Sequence, residues 1–153
     1  MVQNYLDGTS DADSVPLRLY YLGNYLLLKG QQPESTYLCY FKHSALEWYP
    51  EWGIELGMPK TPIAGTISEL QRPGGPKGIF ERKFEQGLVM VNPTASAISV
   101  VLPKMMHLVA PTGGGAVGKE GIVTPARVLT YHATTTVVVP SHSAAILLNS
   151  LPQ

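Results

Sequence analysis

A chain of 153 residues with 44% hydrophobic content is long enough to bury one core and too apolar to be disordered. Eleven Lys and Arg balance eleven Asp and Glu, which excludes a basic field for nucleic acid and leaves little net charge to oppose self-association. Charged residues are only 14%, against roughly 25% in soluble domains, while 15 glycines and 13 prolines imply many turns and a β-rich fold.

Residues 1–15 are polar and acidic and read as a flexible arm, with no secretory leader. Ser14 or Asp13 can cap a helix, and Pro16 suits its first turn. Residues 17–29, LRLYYLGNYLLLK, form the one predicted helix, broken in its apolar character only by Arg18, Gly23, Asn24 and Lys29. A helix apolar nearly all round needs cover on more than one face. It is therefore also the surface through which a homo-oligomer is expected. Gly30 fits a left-handed C-cap.

Residues 36–42 are rich in aromatics and read as a strand, and their Cys39, the single cysteine, excludes an intrachain disulfide. The stretch 43–52, HSALEWYPEW, reads as an aromatic, acidic loop. Residues 53–76 form a connection rich in Gly and Pro, with one short strand at 65–67. From residue 78 the pattern changes to short strands at 79–83, 87–92, 97–102, 106–109, 126–131, 135–139 and 144–148. Gly113-Gly114-Gly115 mark a mobile loop. No apolar run reaches the roughly 18 residues of a membrane span, so no membrane partner is expected. The expected fold is mainly β: an antiparallel, jelly-roll-like β-sandwich with one N-terminal helix, a single domain over 16–153.

Residues 82–93, RKFEQGLVMVNP, resemble an RxFxxGxVxVNP signature near the end of glycoside hydrolases in which a catalytic (β/α) barrel precedes a small β-sandwich. Residues 25–28, 37–41 and 48–51 resemble the last helix and last strand of that barrel. Leu56-Gly57-Met58-Pro59 continues the pattern, and the likeness runs over residues 17–148. It implies a glycoside-hydrolase-associated module that meets an oligo- or polysaccharide. Barrel carboxylates sit at the ends of several strands, and most of those strands are missing here. As given, the chain is expected in the cytoplasm; as a fragment of a larger hydrolase, it would be secreted.

Glu47 and Glu51 are the candidate catalytic residues if the chain is an enzyme. Two carboxyls four residues apart lie roughly 5–10 Å from each other, a range that spans both retaining and inverting geometry. Trp48, Tyr49 and Trp52 are the candidate carbohydrate-binding residues, since aromatic rings stack on sugar faces. Three readings stay open: a carbohydrate-contacting accessory module, a small free-standing glycosidase, and a structural or oligomerisation module without ligand. No cofactor is expected. His43, His107, His132 and His142 show no metal-ligand spacing, although His132 and His142 would meet if their strands adjoined. The glycine run ends in Lys119-Glu120, which departs from a phosphate-binding loop.

Overall fold

The structure, a computed structural model, describes residues 2–5, 14–30, 38–41, 47–60, 66–121 and 128–152. Its strands are β1 (Val2–Tyr5), β2 (Leu38–Phe41), β3 (Glu47–Trp48), β4 (Phe80–Lys83), β5 (Gly87–Asn92), β6 (Ile98–Thr112), β7 (Gly115–Ala116), β8 (Val128–Val139) and β9 (Ser143–Leu148). The helix α1 spans Val15–Leu28, and short 3-10 turns cover Pro50–Gly53 and Ile67–Leu70. His43 and Gly65 lie outside the described residues.

The core is a five-stranded antiparallel sheet in the order β4-β5-β9-β6-β8. Its central strands β5 and β9 are buried along their whole length, because both of their faces are covered. On one face lies α1. Leu19, Leu22, Leu26 and Leu27 pack there with Val89, Val91, Ala144 and Ile146. Burial stabilises each such leucine by roughly 1.5–3 kcal/mol. Gly23 permits the close approach: a Cβ built on it would stand 2.6 Å from the Ala144 Cβ. The helix thus finds cover on its own sheet.

On the other face, Leu88, Met90, Ala145 and Leu147 pack with Val100, Leu102, Val137 and Val139. Those last four come from one end of the β6–β8 hairpin. β6 loses register with β8 between Val101 and Met106, and only its second half reaches β9, through His107 and Leu108. The hairpin therefore bends at this bulge and folds its far end across the sheet, which makes the sandwich. Pro103 and Lys104 read as a break between two strands. They lie in the bulge of one strand, a position that tolerates proline. Residues 128–131 and 135–139 likewise belong to one strand, β8, while residues 126 and 127 lie outside the described residues.

Within the stretch read as an arm, Val2–Tyr5 pairs in parallel with Leu38–Phe41, the strand that follows α1 in the chain. This β1–α1–β2 succession is a βαβ unit. The signature in residues 82–93 proves to be a set of fasteners. Arg82, 1% exposed, donates through Nη1 to the carbonyls of Leu26 (3.1 Å), Leu27 (2.8 Å) and Lys29 (2.6 Å). The guanidinium takes the carbonyls that a left-handed Gly30 was expected to satisfy. Gly30 is not among the positive-φ glycines, and the C-cap is Lys29 at φ −55°. Burial lowers the Arg82 pKa below its ordinary range, yet arginine keeps its proton at neutral pH. Asn92 is fully buried. Its Nδ2 donates to Ser96, Val139 and Pro140 carbonyls, and its Oδ1 accepts from the Thr94 amide and hydroxyl.

Candidate functional site

The aromatic segment 47–53 is built from both halves of the chain. Glu47–Trp48 forms β3 and pairs antiparallel with Gly115–Ala116. The triple-glycine run, expected to be mobile, is thus an ordered clamp. Gly114 sits at φ +95°, and a Cβ on it would lie 2.6 Å from Tyr49 Cδ1 and 3.0 Å from the Trp48 carbonyl oxygen. Only a glycine with left-handed freedom fits there. After Tyr49 the chain turns through Pro50–Gly53, with proline in the first helical position and the Trp52 amide donating to the Tyr49 carbonyl (3.1 Å).

Beneath this segment lies a buried ion pair. Arg18 in the first turn of α1 donates from Nε to Glu51 Oε1 at 2.7 Å and from Nη2 to the Gly113 carbonyl at 3.3 Å. The side chains of Arg18 and Glu51 are 4% and 0% exposed. The guanidinium also lies 4.3 Å from the centre of the Tyr49 ring, a cation–π contact. Tyr49 is itself 1% exposed and donates its hydroxyl to Glu47 Oε2 at 3.2 Å. Trp52 is half-buried and meets Trp48 and Tyr49 edge-to-face, with centroids 5.5 Å and 5.3 Å away. Trp48 is 38% exposed.

The five candidate residues therefore cluster, but in layers. Glu51 and Tyr49 are interior, Trp52 and Glu47 are half-buried, and Trp48 reaches solvent. Glu47 and Glu51 do not face one surface as two carboxylates astride a glycosidic bond would. The residue that sequence reasoning passed over is Arg18, treated as a break in an apolar helix. An arginine inside such a helix needs acceptors for its guanidinium, and a carboxylate in the aromatic segment 47–51 is one that could have been considered.

One residue past Trp52 begins a cavity of about 610 Å³, lined by Gly53, Ile54, Glu55, Gln86, Tyr131 and Leu148 together with residues 150–152. The strands expected to bring His132 and His142 together do not adjoin, because β6 lies between β8 and β9; His132 lies within β8 and His142 in the turn before β9. Among the described residues no group of three His, Cys, Asp or Glu side chains is placed to hold a metal ion, and no helix is long and apolar enough to cross a membrane.

The fold and sequence together define a mainly-β, glycoside-hydrolase-related chain. It belongs to hypothetical glycosyl hydrolase family 15, whose model matches residues 2–88, more than half of the chain. The match takes in the βαβ unit, the aromatic segment and the first hairpin as far as the start of β5. No curated protein and no solved structure matches the sequence.

Proposed function

We propose that the chain is a glycoside-hydrolase-associated module in which Trp48 offers a ring to carbohydrate and Glu47 lies at its rim. The carrying observation is the layering of the segment: the exposed Trp48 indole meets Trp52, Trp52 meets Tyr49, and Tyr49 lies against Arg18 of the Arg18–Glu51 pair. A ring so backed loses little conformational freedom on stacking, the condition under which an aromatic side chain binds a sugar face best. In this reading Glu51 is a structural anion, and Glu47 offers hydrogen bonds to sugar hydroxyls. The parallel β1–α1–β2 unit supports the idea that residues 2–41 correspond to the closing piece of a (β/α) barrel, with the sandwich following it.

Tryptophan fluorescence titrated with a panel of oligosaccharides tests the reading. A saturable shift is expected in wild type and is expected to vanish in Trp48→Ala, while the fold stays intact. Absence of any shift across the panel would leave the structural-module reading in place. An aryl-glycoside assay separates binding from chemistry: turnover abolished in Glu47→Gln would make the chain an enzyme.

A further inference from the structure

The two edges of the five-stranded sheet are treated differently. The β4 edge is four residues long, carries Glu81 and Lys83, and is overlaid by preceding chain. Lys60 N donates to the Lys83 carbonyl (2.9 Å) and Arg72 N to the Ile79 carbonyl (3.0 Å), while isolated bridges join Pro59 to Phe84 and Gln71 to Phe80. Arg72 is also ion-paired with Glu81.

The β8 edge is twelve residues long, VLTYHATTTVVV, with no Asp, Glu, Lys, Arg or Pro. Among the described residues only β6 pairs with it. Alternate residues of such a strand turn their N–H and C=O groups outward, and natural edges of this length are normally guarded by charge, proline or cover. One local guard exists: the Thr134 hydroxyl engages both the carbonyl and the amide of Thr136. It occupies one residue of the strand.

We infer that β8 is the seam through which two copies of this chain pair, strand against strand about a two-fold axis, fusing their sheets into one. Charge and topology select this occupant. β8 facing itself brings together two strands free of Asp, Glu, Lys and Arg, and the chain's formal net charge is zero. Tyr131 and His132 are its only titratable side chains. Head-to-tail addition would need the β4 edge of the next copy, which is already overlaid. Association therefore closes at two instead of growing into a filament. Val138 on β8 and Val101 and Met105 on β6 are 60%, 72% and 61% exposed, an apolar margin beside the seam.

Sedimentation equilibrium on the intact chain tests this. The expected mass is twice 16.6 kDa, and Val138→Lys and Thr135→Lys are each expected to raise the dimer Kd by about tenfold or more, because a lysine on an edge strand opposes strand addition. Both positions are exposed, so both variants should fold, with circular dichroism as the check. Val101→Lys, one strand inward, is the control and should change the Kd far less. Hydrogen exchange on wild type gives a readout free of mutation: amides in 128–139 should gain protection as protein concentration rises. A monomer throughout, concentration-independent exchange in β8, or a Val101→Lys effect equal to that at Val138 would each overturn the inference.

Discussion

Two buried arginines hold α1, one at each end, and they do so by different means. Arg18 at the start answers a carboxylate, Glu51, and through it fixes the aromatic segment. Arg82 reaches the finish from β4 and answers helix carbonyls. The first is a pair of charges, in which each member makes the other tolerable. The second is a charge set against the negative end of a helix dipole, where no second ion need be removed from water. The difference shows which contact can be deleted as a unit and which cannot.

Arg18→Met should cost the most, about 3–5 kcal/mol, because it strands the Glu51 carboxylate in the interior. Replacing both, as Arg18→Met with Glu51→Leu, should cost clearly less than either change alone. Chemical denaturation of the three variants checks this, and a double variant no better than the singles would break the contrast. Arg82→Met comes next, at about 3 kcal/mol, from helix carbonyls left without a donor. Arg82→Lys should recover part of that, since an ammonium keeps the charge but loses the planar fork. Here no second-site removal should rescue.

Gly23→Ala sharpens a related point, that the helix is seated by contact and not only tied at its ends. Overpacking against Ala144 and Val91 should cost about 1–3 kcal/mol, read as a fall in Tm. The smallest effect is alkaline. Burial raises the Tyr25 pKa above its ordinary value, so the unfolded chain ionises first. The stability this represents is intact below about pH 10 and is lost as pH rises through the folded value. Tyr25→Phe should flatten that decline in a urea-denaturation series against pH.

Much of this was legible in the sequence, and the remainder was not, for physical reasons. The apolar strand at 87–92 after its turn and the apolar run 17–28 each declared a local structure, and the structure has both. Gly113 to Gly115 misled because glycine signals a mobile loop and a tight clamp in the same letters; only the partner, Tyr49, decides. Pro103 misled because a proline that ends one strand can also sit in the bulge of a longer one. The aromatic segment was recognised as a cluster, but its layering was not, since the buried status of Glu51 depends on Arg18, 33 residues earlier. The fasteners Arg82 and Asn92 lay inside the recognised signature, yet all the acceptors of Arg82 and two of the three of Asn92 are far away in sequence, and a local reading has no access to them.

The cover over α1 has a consequence for synthesis. The helix ends at Leu28, and of the two strands that bury its leucines β5 begins at Gly87 and β9 only at Ser143. At roughly 5–20 residues per second on a ribosome, four leucines leave the exit tunnel several seconds before the surface made to receive them is complete. During that interval the nascent chain is a binding partner for any holdase that recognises an apolar helix. Expression yield should therefore respond to chaperone supply more than equilibrium stability does.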